Sequence, residues 1–197
     1  MKRIFKIISI MLCFAVLGVN AGETKYPTVK FDKVDFNKTK LLLSKDILNY
    51  YKVKKDKYDT PLKEKKFKES SEFQDLSRKF DEEYTKALHQ SYDVSTKFNA
   101  QYDIKEKNFS ADLPKAFNKK LVLKTGCPYF EKDKFVTPVI DEDTAYKIET
   151  TECTLNVIVK LTGKIEKNKL VCYPVRVDIT NKAGDVLYSY NMDNTID

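Results

Sequence analysis

The sequence predicts an α+β fold in which N-terminal helices pack on an antiparallel C-terminal sheet, a meander. Two patterns predict it. Between residues 153 and 190 apolar residues recur at every second position, the period of a half-buried strand. Between residues 73 and 92 they recur at every third or fourth position, the period of an amphipathic helix. No repeat, low-complexity tract or linker divides the chain, so residues 22–197 are expected to form one domain, with helices over about 37–93 and sheet over about 97–191.

The meander is the most regular part. Leu155, Val157, Val159 and Leu161 alternate with Thr154, Asn156, Lys160 and Thr162; after a polar reversal at 166–170, Val171, Tyr173, Val175, Val177 and Ile179 alternate with Arg176, Asp178 and Thr180. A register opposing Leu161 to Val175, Val159 to Val177 and Val157 to Ile179 places all six side chains on one face. A second reversal at Asn181-Lys182-Ala183-Gly184 carries favoured turn residues and brings Val186, Tyr188 and Tyr190 to that face.

Taken in order, residues 22–35 hold one weak alternation, Val29 and Phe31, suited to a short edge strand. Residues 37–53 space Leu41, Leu42, Ile47, Leu48 and Tyr51 along one helical flank, with Asn37 as N-cap. Thr60-Pro61 marks a helix start, and Ser70 or Ser71 another, ahead of Phe73, Leu76, Phe80, Tyr84, Ala87, Leu88 and Tyr92. Phe98, Ala100, Tyr102 and Ile104 then alternate as a strand running to about residue 107. Residues 110–119 suit a loop or a single helical turn, 121–124 a short strand, and 135–140 an edge strand because of Pro138. Asp141-Glu142-Asp143-Thr144 opens a short helix whose acidic first turn complements the helix dipole.

Residues 1–21 form an expected export signal. Lys2, Arg3 and Lys6 precede an apolar run from Ile7 to Val19, and Val19-Asn20-Ala21 offers small residues for cleavage. The run falls short of the roughly 20 residues that span a bilayer, and no later segment suits a transmembrane span. Cys13 lacks the small preceding residues a lipid-accepting cysteine needs. The expected localisation is therefore periplasmic or secreted. Cleavage leaves 33 basic residues of the original 36 against 29 acidic ones, so the mature chain carries +4 rather than +7.

An oxidising compartment makes a disulfide the expectation for the remaining cysteines. The hairpin register puts Cys153 on the apolar face and Cys172 on the polar one, which assigns the bond to Cys127 and Cys172, with Cys127 and Cys153 as the alternative. Two Asn-x-Ser/Thr sequons, at Asn37 and Asn108, each follow an acidic residue two places upstream, Asp35 and Glu106, and make both asparagines candidate glycosylation sites; the plainer roles are an N-cap and a turn residue.

Little in the chain suits catalysis. His89 is the sole histidine and sits in the long helical stretch, no CxxC occurs, and the scattered glycines form no phosphate-binding loop. No cofactor, metal or nucleic-acid partner is expected. Asp141, Glu142 and Asp143 lack the glycine and terminal glutamate of a calcium loop. The most suggestive patch is residues 52–68, where Lys54, Lys55, Lys57, Lys63, Lys65, Lys66 and Lys68 interleave with Tyr58 and Phe67 and could meet a polyanion or anionic surface. Solvated helix faces account for the same lysines. The expected function is non-enzymatic binding of an unidentified protein or envelope component, through a sheet edge or a groove between sheet and helices. A polyanion or envelope-surface binder is the alternative, and a thiol-dependent enzyme stands third.

Overall fold

The computed structural model describes residues 26–55 and 58–192 and confirms the α+β class; the expected signal and Lys57 lie outside these residues. Strand β1 (Thr28–Lys30) leads through one 3-10 turn to helices α1 (Phe36–Leu43), α2 (Ile47–Lys55), α3 (Pro61–Lys68) and α4 (Ser71–His89). Next come β2 (Ser91–Lys97), β3 (Tyr102–Asp103), β4 (Asn108–Asp112), α5 (Ala116–Lys119), β5 (Leu121–Leu123), β6 (Phe130–Glu131), β7 (Lys134–Val136) and α6 (Glu142–Glu149). The long strands β8 (Cys153–Glu166) and β9 (Lys169–Asn181) and then β10 (Val186–Asn191) complete the order.

Local chemistry explains most helix boundaries. Thr60 accepts from the Lys63 amide and Pro61 occupies the first turn of α3; Ser70 accepts from the Phe73 amide and opens α4; Asp141 does the same for Thr144 at α6. At α1 the cap is Asp35, which accepts from the Lys38 amide, so Asn37 is a first-turn residue and not the expected cap. The helix expected over 37–53 is two helices. Lys45 adopts a φ of 55° between them, and Asp46 re-caps the chain by accepting from the Asn49 amide.

The larger sheet has the order β1-β2-β8-β9-β10, with β5 also paired to β9. The antiparallel β8-β9-β10 meander lies within it, but its register differs from the sequence expectation. Val157 opposes Val177 and Leu155 opposes Ile179; then Ile158 opposes Arg176 while Val159 opposes Pro174, leaving Val175 as an extra residue on β9. That bulge reverses the inward-outward parity beyond it. Leu170 and Cys172 turn into the core beside Leu161, whereas Val175 does not join it. Cys172 is therefore fully buried and not on the solvent face. The hairpin closes on Lys167 and Asn168, both with positive φ as a two-residue primed turn requires. A second bulge at Leu187 takes Val186 out of line, and Val186 is exposed.

The helical region ends earlier than expected. Gln90 is extended, and Tyr92 belongs to β2, where it opposes Val159 and donates its hydroxyl to the Ala87 carbonyl. Its periodic spacing continues the helical stripe only by coincidence, and pairing with β8 overrides it. The strand expected over 98–107 shrinks to β3, because Asp103 accepts from the amides of Lys105 and Glu106 and turns the chain into β4. Ile104 is left exposed. Strands β3, β4, β7 and β6 form a second small sheet, and its Phe109 and Phe135 join Leu155, Val157, Val177 and Ile179 in one core.

Helix α4 and helix α1 lie against β8. The opposite face of the large sheet carries paired polar side chains beside the buried Ile158. Lys30 and Ser95 surround Asp93, Arg176 and Ser189 surround Asp178, and Asn156 donates to Thr180 between them. Asp93, Asn156 and Asp178 are all buried, and each has one hydrogen-bond partner on its own strand and one on a neighbouring strand.

Candidate functional site

Where α1 and α2 meet the tip of the β8-β9 hairpin they leave a groove of about 520 Å³. Its floor is apolar: Leu41 from α1, Tyr50 and Val53 from α2, and Ile165 from the hairpin. Its rim is cationic, with Lys38 and Lys40 from α1 and Lys54 from the last turn of α2; Asp35, Asn37 and Ser44 complete the lining. Local structure accounts for this arrangement. Lys38 and Leu41 are three apart on α1, and Tyr50, Val53 and Lys54 fall at three and four apart on α2, so each helix turns one mixed flank toward the groove.

Glu83 on α4, outside the groove, ties two of its lining residues together. Its carboxylate lies 3.1 Å from the Lys38 ammonium and accepts from the Tyr50 hydroxyl at 3.3 Å. The bond from Lys38 to Glu83 holds that lysine above its usual pKa. Lys40 reaches across to the side-chain oxygen of Asn168 in the hairpin turn, tying α1 to the sheet. The Lys54 ammonium stands 4.5 Å above the Tyr50 ring, a cation–π contact that leaves its charge unmatched by any carboxylate among the described residues. Val53 is 75% exposed although it forms part of the floor, so an apolar surface and an available cation sit side by side.

Of the described lysines in the basic patch, only Lys54 lines this groove. Lys55 stands over the Tyr51 ring, and Lys63, Lys65, Lys66 and Lys68 are exposed on α3. They do not form one stripe, since positions two apart on a helix diverge by roughly 200°. Beneath them, Tyr51, Tyr58, Phe67 and Phe73 form a ring cluster, with the Tyr51 and Phe67 centroids 3.8 Å apart. Burial, together with Tyr58 and Glu72, pushes the Tyr51 hydroxyl pKa up, so this ring stays neutral and holds α2 to α3.

The expected disulfide is absent: Cys127, Cys153 and Cys172 are free thiols. Strand β5 runs beside β9 with Leu123 opposite Cys172, but the Cys172 sulfur turns inward and contacts the Val122 carbonyl at 3.5 Å, while Cys127 lies in the loop after β5. Cys153 contacts the Ile148 carbonyl. Burial pushes the Cys172 thiol up to about 12 and raises that of Cys153, opposite to the shift an activated thiolate needs. His89 is exposed at the end of α4, with Nδ1 2.8 Å from the Thr85 carbonyl oxygen.

Of the sequon asparagines, Asn37 is exposed at the groove mouth, though Thr39 of the same sequon is buried. Asn108 is half-buried and opposes Asp103. No group of three His, Cys, Asp or Glu side chains among the described residues is placed to hold a metal ion, and no described helix is long and apolar enough to cross a membrane. Lys38, Lys40 and Ile165 escape sequence reasoning because the groove joins segments more than 100 residues apart. Val53 carries a usable signal, an apolar residue among lysines at a helix end. Comparison with known protein families, curated proteins and solved structures finds no match.

Proposed function

We propose that this is a non-enzymatic binding protein, exported to the periplasm or beyond the cell, whose ligand is an amphipathic anion. The carrying observation is the exposed Val53 beside Lys54 and Lys40, with Leu41, Tyr50 and Ile165 completing the apolar floor. An acyl or aryl chain would leave water on the floor, gaining about 25 cal/mol per Å² of apolar surface buried. A terminal carboxylate or phosphate would meet the rim ammonium groups, which an apolar pocket alone would not select. Export rests on the basic and apolar character of residues 1–21.

Titration calorimetry with dodecanoate, against dodecyltrimethylammonium as the matched cation, tests the reading. Dodecanoate should bind and the cation should not. Val53→Glu and the pair Lys40→Glu with Lys54→Glu should each weaken dodecanoate by tenfold or more while the far-ultraviolet circular dichroism is unchanged. Equal heats for both amphiphiles, or no loss in either variant, would remove it.

A polyanion-binding surface is the second reading. It draws on Lys63, Lys65, Lys66 and Lys68, which are exposed and form no ion pair among the described residues. Retention on an anionic resin that disappears when Lys54, Lys55, Lys65 and Lys66 become glutamate would favour it, and unchanged retention would end it.

A further inference from the structure

A second recess lies at the far edge of the large sheet and owes nothing to the groove. Strand β1 pairs in parallel with β2 only as far as Lys30 opposite Asp93, and the chain then turns away through Phe31 to Lys33. Strand β2 continues to Lys97. Which of its backbone groups look outward follows from the pairing on its other side. Phe98 donates its amide to the Cys153 carbonyl, continuing the β2-β8 ladder, and bonding residues alternate in an antiparallel pair. Tyr92, Val94 and Thr96 therefore direct their backbone groups at β8, while Ser95 and Lys97 direct theirs outward, past the end of β1.

The recess beside this edge measures about 500 Å³. It draws Val94 from the core face of the sheet, Asp93 and Ser95 from the opposite face, Lys30, Phe31, Asp32 and Lys33 from β1 and the departing chain, and Ala116, Lys119 and Lys120 from α5 and its end. Asp93 is neutralised by Lys30, which also donates to Ser95 at 3.1 Å. Lys33, Lys119 and Lys120 are exposed and form no ion pair among the described residues; Lys120 stands 5.6 Å from the Phe36 ring centroid. The recess thus combines an unfinished sheet edge backed by the buried Phe31 and Val94 with a cationic excess, since Lys30, Lys33, Lys119 and Lys120 face only Asp93, which Lys30 pairs, and the exposed Asp32.

We propose that this edge docks an acidic, extended segment of a partner protein, which adds as a strand beside Ser95 and Lys97 where β1 leaves off. Main-chain hydrogen bonds to those two residues supply the pairing. Acidic side chains meeting Lys33, Lys119 and Lys120 supply the selection, since a basic segment would leave those charges opposed. The natural alternatives, edge-to-edge pairing of two copies of this chain and an anionic lipid surface, lack this match: a second copy would bring its own lysines to the same edge, and a bilayer offers no backbone.

The probe is a capped six-residue peptide alternating glutamate and valine, with its lysine-for-glutamate counterpart as control. Hydrogen exchange on the full chain should show the acidic peptide protecting the Ser95 and Lys97 amides while leaving the Thr96 amide, already bonded to β8, unchanged. Affinity should fall at least tenfold in the triple variant Lys33→Glu, Lys119→Glu, Lys120→Glu, and with rising salt. Ser95→Pro removes one outward donor and should weaken binding without touching the charges; if it does not fold, the charge-reversal variant alone decides. Equal binding of both peptides, protection elsewhere than β2, concentration-dependent dimers that block the edge, or adsorption to anionic vesicles in place of peptide would each overturn the proposal.

Discussion

Gly163 on β8 lies directly beneath Tyr84 on α4: a Cβ built on Gly163 would stand 3.1 Å from the phenol oxygen and 3.5 Å from a methyl of Leu88. The glycine also has a φ of +78°, within the irregular stretch between Leu161 and Ile165. It permits both the local kink in the strand and the close approach of α4.

Gly163→Ala is therefore expected to destabilise the fold by about 1–2 kcal/mol from backbone strain alone, with the steric clash added. Tyr84→Phe removes the nearest atom, so the double variant should recover the steric part and leave the strain. Urea unfolding of the four proteins in the cycle measures the coupling. Strict additivity would show that the phenol gives way freely.

Alkaline stability follows from the buried thiol. Burial pushes the Cys172 thiol up from 9.0 to about 12. Between those values the unfolded chain has lost a proton that the folded chain keeps, so stability is full below about 9 and falls as pH rises toward 12. Tyr188, raised from 10.0 to about 12 chiefly by burial, acts in the same direction. Cys172→Val should flatten the decline in melting temperature above pH 9, and an unchanged slope would show that other groups carry it.

In a chain that begins at Gly22, and so lacks Cys13, thiol labelling separates Cys127, Cys153 and Cys172. Cys127 is partly exposed, whereas Cys153 and Cys172 are 4% and 0% exposed. Native protein should react quickly with one equivalent of an aromatic disulfide reagent, at Cys127, and with the other two only on unfolding. Fewer than three thiols after denaturation without reductant would show that a disulfide forms in the isolated protein.

The joint between α3 and α4 depends on Ser70. Its hydroxyl donates to the Phe67 carbonyl at 2.6 Å and accepts from the Phe73 amide at 3.2 Å, closing one helix and opening the next. Ser70→Ala should cost about 1 kcal/mol, and Ser70→Gly only a few tenths at the cap itself. Thermal melts of both variants would show whether the hydroxyl or the loop geometry matters more.

What the amino-acid order determines alone is local. Thr60-Pro61, Ser70 and Asp141 announce helix starts because their side chains bond amides three residues away, and the alternation through Val157, Val159 and Leu161 announces a strand because its period belongs to one segment. Tertiary structure decides what joins distant segments. Val29 beside Tyr92 and Leu121 beside Leu170 come from pairing between strands far apart in the chain, and the extra residue Val175 that turns Cys172 inward comes from a register within the β8-β9 hairpin that its alternation does not specify. Hydrophobic period carries no record of a partner's register. Both recesses arise at such junctions, one where two helices meet a hairpin tip and one where a strand stops short of its neighbour, so neither is written in any single stretch of sequence.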